Sequence, residues 1–98
     1  MKTYSIRREN AWQGPEELEA AAERSKQVAD GDFPQDIRWI RSYVVSEPEG
    51  MLGTICIYQA SGPEAIRDHA ARVGMPADEI TEVIDTVVIR PDPEPVSV

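Results

Sequence analysis

Ninety-eight residues carry 18 acidic against 10 basic side chains, a formal net charge of −8, with one Cys. That length holds one domain with a single core, and the charge argues against a sequence-independent grip on nucleic acid, which needs a basic surface to displace phosphate counterions, and against docking on an anionic membrane. A lone Cys excludes an internal disulfide, and no run approaches the roughly 20 apolar residues of a membrane span. Met1-Lys2-Thr3-Tyr4 then passes straight into strand-like sequence without the apolar stretch of a signal peptide, so a cytoplasmic setting is the expectation.

From Thr3 to Arg8 the sequence alternates, Tyr4 and Ile6 against Ser5 and Arg7, and predicts a first strand. Asn10-Ala11-Trp12-Gln13 reads as a loop. Gly14-Pro15-Glu16-Glu17 starts a helix, because proline at the first helical position gives up an amide that would be unpaired anyway and two carboxylates meet the positive end of the dipole. Leu18, Ala21, Ala22, Ser25, Val28 and Ala29 fall in one arc of roughly 120°, a narrow, small-residue face suited to close packing on a sheet, and Asp30-Gly31-Asp32 closes the helix.

Ile37 to Val45, dense in β-branched and aromatic residues, predicts a second strand; Ser46-Glu47-Pro48-Glu49-Gly50 is a hairpin connection, and Met51 to Ala60 returns as the third. A second helix follows, with Ser61 and Glu64 spaced as a capping box and Gly74 then Pro76 as the stop. Glu79 to Arg90 is the fourth strand, and Pro91-Asp92-Pro93-Glu94-Pro95 cannot hold a ladder, so residues 1–90 form the domain and 91–98 a flexible acidic tail.

The order is βαββαβ, with an internal echo: Gly14-Pro15-Glu16-Glu17-Leu18 recurs as Gly62-Pro63-Glu64-Ala65-Ile66. Two similar halves with right-handed crossovers give an α+β, ferredoxin-like fold, a four-stranded antiparallel sheet of order 4-1-3-2 with both helices on one face. Strands two, three and four are apolar at nearly every position, whereas a solvated back face should alternate. The uncovered face therefore presents an apolar patch, and a sheet-to-sheet homodimer is expected.

The only His, His69, sits at 0° on the second helix with Ala65 near −40°, Val73 near +40° and Ile66 near +60°, so it turns toward the sheet. It either ties its helix to a strand or a loop, or it serves as a metal ligand or general base. Cys56 lies mid-strand between two Ile residues, where a buried Cys is most often a small core filler. One His and one Cys per chain do not make a closed four-ligand zinc site, though two copies could combine theirs. Trp39, Arg41, Tyr43 and Val45 share one face of strand two and Ile40, Ser42 and Val44 the other; on strand three Tyr58 shares its face with Cys56, and Gln59 with Ile55 and Ile57. No CxxC, HExxH, P-loop or GxGxxG motif is present.

Asp36 to Val44, Gly53 to Ala60, Glu64 to Ala70 and Gly74 to Ile80 together resemble a family of small bacterial proteins, long held to be a domain of unknown function, that includes an actinobacterial nickel-binding, nickel-responsive protein. The resemblance implies a ferredoxin-like dimer and nickel binding, and it places His69, Tyr43, Cys56 and Tyr58 on recurrent family positions, the expected metal-ligand set. Gln59 and Arg7 stand where Glu is common in that pattern, and an amide and a cation in place of carboxylates lower affinity for a divalent ion at any site they share. The best specific reading is a homodimer that binds a transition metal weakly or in regulation, nickel by resemblance, with His69 as first ligand because imidazole suits Ni(II). Its rivals are a cofactor-free enzyme with a small-molecule cavity at the dimer interface, using His69 or Tyr43 as acid or base, and a non-catalytic assembly module.

Overall fold

In the computed structural model, which describes residues 1–77 and 79–94, four of the six strands and helices match their expected places and two are altered in extent. The elements are β1 (Lys2–Trp12), α1 (Pro15–Asp32), β2 (Ile37–Ser46), β3 (Leu52–Ala60), α2 (Pro63–Val73) and β4 (Glu79–Val83), with a short 3₁₀ turn at Pro48–Gly50 between β2 and β3. The sheet is antiparallel in the order β2-β3-β1-β4, the expected 4-1-3-2 arrangement counted from the other edge. The fold is ferredoxin-like.

Small residues let α1 approach the sheet: Ala21, Ser25 and Ala29 are its buried positions, and Pro15 opens it as expected. α2 buries Ile66, His69, Ala70 and Val73 and ends at Gly74, whose left-handed φ of 84° turns the chain while its amide bonds the carbonyl of Ala70. The capping box does not form. Gly62 is the N-cap and makes no side-chain cap, while Glu64 pairs instead with Arg67, one turn along. The core joins Tyr4 and Ile6 of β1, Cys56, Tyr58 and Ala60 of β3, Ile37 of β2, Ala29 of α1 and Ile66 of α2.

β1 runs further than the alternation suggests. Its pairing with β3 breaks after Arg8↔Thr54 and resumes at Trp12↔Leu52. Asn10 takes the left-handed φ of 49° that absorbs the irregularity, and its amide donates to Glu47 Oε2 at 2.7 Å. Trp12, expected in a loop, is thereby carried back against the body of the protein, 6% exposed.

β4 is shorter than the expected Glu79–Arg90. The last pair of its ladder is Thr3↔Val83, and β1 starts at Lys2, so the ladder has no further strand for Ile84 to Arg90 to join. That apolar arm leaves the sheet edge with Ile84, Val87, Val88 and Ile89 at 71–89% exposure. It is fastened again at Asp92, whose carboxylate accepts from Arg41 Nη1 at 2.8 Å and Tyr43 Oη at 2.9 Å on the opposite edge strand. The expected tail falls partly in residues 95–98, outside the described residues.

A bulge on β2 corrects the expected faces of that strand. Trp39 pairs with Tyr58 and Arg41 with the next residue back, Ile57, leaving Ile40 as the extra residue. Trp39 therefore joins Ser42 and Val44 on the helix side, while Ile40 leaves them and lies with Arg41 and Tyr43 on the open side.

Candidate functional site

The helix-covered face of the sheet holds a buried polar cluster as well as the apolar core. Alternation along β1 carries Tyr4, Ile6 and then Arg8 inward, and Arg8 is 1% exposed. Its Nε donates to the carbonyl of Pro76 at 2.8 Å, just past α2, and its Nη1 to Cys56 Sγ at 3.3 Å on the neighbouring strand. Nη2 has no partner among the described residues. Cys56 also accepts from the Ser42 hydroxyl at 3.0 Å and donates to Thr54 Oγ1 at 3.4 Å. Ser42 in turn accepts from the indole of Trp39 at 2.8 Å, the contact that the β2 bulge makes possible.

Next to this, Ser25 of α1 joins three elements. Its hydroxyl meets Tyr58 Oη of β3 at 3.2 Å, and its backbone carbonyl meets His69 Nε2 of α2 at 2.9 Å. A carbonyl only accepts, so Nε2 carries the proton and Nδ1 carries a lone pair, which finds no partner among the described residues. The ring is fully buried, edge-on to Phe33 and Tyr58. Burial pushes its pKa below the usual histidine value, the Ser25 carbonyl opposes that shift, and the Arg8 charge reinforces it. Burial likewise raises the Tyr58 phenol, which stays neutral.

A pocket of about 260 Å³ lies between α1 and this face of the sheet. Leu18 and Ala22 of α1, Trp12, Trp39, Val44 and Met75 give it an apolar wall; Arg8, Ser42, Thr54, Cys56 and Tyr58 form its polar end. Both tryptophans of the chain line it.

Of the four expected metal ligands, His69, Cys56 and Tyr58 are buried on the helix side. Tyr43 lies on the opposite face, 42% exposed and bonded to Asp92. A nickel centre made by one chain fits this donor set poorly. No three His, Cys, Asp or Glu side chains converge among the described residues, the Arg8 guanidinium repels a divalent ion from the same cluster, and the neutral Tyr58 phenol is a weak ligand. The His69 imidazole alone is prepared as a ligand, its tautomer fixed by the carbonyl behind it. Arg7 and Gln59 also lie apart from the cluster, on the open face: Arg7 Nη2 bonds Glu47 at 2.9 Å, and Gln59 pairs across the ladders with Thr3 and Arg38.

The residue that sequence reading passed over is Arg8. The alternation that put Tyr4 and Ile6 inward places Arg8 with them, so the signal was present, but a charged residue at a strand end is ordinarily assigned to solvent. Trp39 left no such signal, since it reaches the pocket through the β2 bulge, and Trp12, in phase with Arg8, lies beyond a break in the β1 ladder.

A family model described as "Nickel responsive protein SCO4226-like" matches residues 4–83. Among solved structures, the crystal structure of SCO4226 from Streptomyces coelicolor A3(2) aligns with a TM-score of 0.69 at 17% identity, covering 87% of this chain and 99% of that one. At that identity the likeness speaks for the fold alone. Among curated proteins no match was found.

Proposed function

This chain belongs to the SCO4226-like family of nickel-responsive proteins, and from that premise we propose that it works as a homodimeric binding protein whose small-molecule ligand occupies the pocket beneath α1. The observation that carries this reading is the pocket's construction, an apolar wall with a few polar groups gathered at one end, the usual make-up of a small-molecule site. At about 260 Å³ it suits a ligand of one or two rings, since an apolar cavity of about 150 Å³ already accepts benzene.

The homodimer rests on the opposite face. Ile40, Tyr43 and Ile55 stand 36–42% exposed there, and the arm's four aliphatic residues are barer still. A second copy packed on this face covers both at once, and leaves the ligand pocket open on the far side of each sheet. Light scattering at micromolar concentration is expected to give twice the mass of a single chain, and Ile55→Asp to give the single-chain mass with unchanged circular dichroism. A wild-type monomer would remove the dimer.

Titration with toluene, read through Trp12 and Trp39 fluorescence, tests the pocket: a saturable change is expected, and Ala22→Phe, which fills the space, is expected to abolish it. Absence of a saturable response in the wild type would overturn the reading.

His69 Nδ1, without a partner among the described residues, favours a second reading, a weak nickel attachment that gives the chain the response named in its family. Equilibrium dialysis against nickel, zinc and cobalt with elemental analysis separates the two. Stoichiometric nickel in the wild type that vanishes in His69→Ala would put this reading first; none in either protein would remove it.

A further inference from the structure

We infer that the pocket's ligand is an anion, a small aromatic carboxylate, whose charged end meets the Arg8 guanidinium while its ring lies between the apolar residues of the wall. The inference rests on the pocket reading above and adds a ligand class to it.

Arg8 is the buried cation of this molecule. Among the other arginines, Arg24, Arg38 and Arg90 are exposed to water, and Arg7, Arg41, Arg67 and Arg72 meet a carboxylate at 2.6–3.4 Å. Arg8, the most buried at 1% exposure, meets none among the described residues. Its partners are a thiol and a carbonyl, both neutral, and Nη2 has no partner among the described residues. Glu19, which lines the pocket, is exposed on α1 and forms no ion pair with it. An isolated guanidinium in a low-dielectric site is strongly unfavourable unless an anion or further acceptors satisfy it.

The pocket supplies the place for that anion. Arg8 lines it beside Cys56, Ser42 and Thr54, so a carboxylate there finds the guanidinium and neighbouring hydroxyls within one polar end. Two indoles and aliphatic side chains cover the rest of the wall, which selects an apolar, planar body. A fixed positive charge at the same end disfavours cations and amines, and with them a divalent metal ion.

Phenylacetate and phenylacetamide are near-isosteres that differ in charge, and their titration into the wild-type protein, read by tryptophan fluorescence, tests the inference directly. Phenylacetate is expected to bind at least about ten-fold more tightly, the scale of a charge-assisted hydrogen bond over a neutral one. In Arg8→Gln the preference is expected to vanish, with the amide's affinity retained. Equal binding of the two compounds by the wild type would overturn the anion and leave the pocket reading standing. Failure of both compounds, together with failure of toluene, would overturn the pocket itself. Should Arg8→Gln fail to fold, the wild-type comparison still decides, and Arg8→Lys, which keeps the charge, is expected to keep the carboxylate preference.

Discussion

On the open face of the sheet Arg7 and Arg41 each meet a carboxylate, Glu47 at 2.9 Å and Asp92 at 2.8 Å. On the helix-covered face, one residue along from Arg7, Arg8 meets a thiol and a carbonyl and no carboxylate among the described residues. Strand alternation alone separates these two neighbours, yet it moves the second from water into the interior. The open-face pairs are partly solvated and contribute little to stability. The covered face instead keeps an uncompensated charge, a lone cysteine thiol and a half-bonded imidazole beneath a helix, and a pocket beside them. Charge on the first face serves solubility and the anchoring of an arm; on the second it has the make-up of a binding site.

The largest effect that tests this contrast is expected at Ile6, fully buried on the covered face. Ile6→Ala should lower unfolding free energy by about 2–5 kcal/mol, measured by urea denaturation; a loss under about 1 kcal/mol would mean the core lies elsewhere. Arg8→Met sharpens the comparison through its sign. Replacing a buried, unpaired charge by an apolar side chain of similar length is expected to leave stability unchanged or raise it by about 1 kcal/mol or more. A large destabilisation would make Arg8 a brace between β1 and the Pro76 segment, and not a site waiting for an anion.

His69 gives a pH dependence. Its folded pKa lies below the unfolded value of about 6.5, so between the two the unfolded chain binds a proton that the folded chain refuses. Stability from this group is therefore complete above about pH 6.5 and declines as pH falls toward the folded pKa. Gln can donate to the Ser25 carbonyl without titrating, and His69→Gln is expected to flatten denaturation midpoints measured between pH 7 and pH 5. An unchanged slope would assign the loss to carboxylates. Smallest is Tyr43→Phe, which removes the exposed bond to Asp92 and is expected to shift thermal unfolding of the isolated chain hardly at all, within about 0.5 kcal/mol.

Periodicity revealed most of the fold because its core is built from regular elements. The Gly-Pro-Glu echo located both helix starts, and the helical angles turned His69 inward, where it is fully buried. What it joins was less legible. His69 ties its helix to the other helix through the Ser25 carbonyl, a backbone acceptor 44 residues away that no side-chain pattern announces. The metal-ligand set divided for a similar reason: the family resemblance put Tyr43 with Cys56 and Tyr58, but strand register sends it to the opposite face. The end of β4 depended on where its partner strand begins, since Ile84 to Ile89 are as strand-like in composition as the residues that do pair.

The extra residue at Ile40 has a further implication for how this chain could be altered. Along β2 it acts as a parity switch. Before it, odd-numbered Ile37 and Trp39 face the helices, and after it even-numbered Ser42 and Val44 do. Excising Ile40 alone would restore uniform alternation without moving either stretch to the other side: Trp39 stays opposite Tyr58 on the helix side, Arg41, now its immediate neighbour, stays opposite Ile57 on the open side, and Ser42 keeps its place opposite Cys56. The bulge is thus a removable insertion, and the residues of β2 that line the pocket keep their face without it.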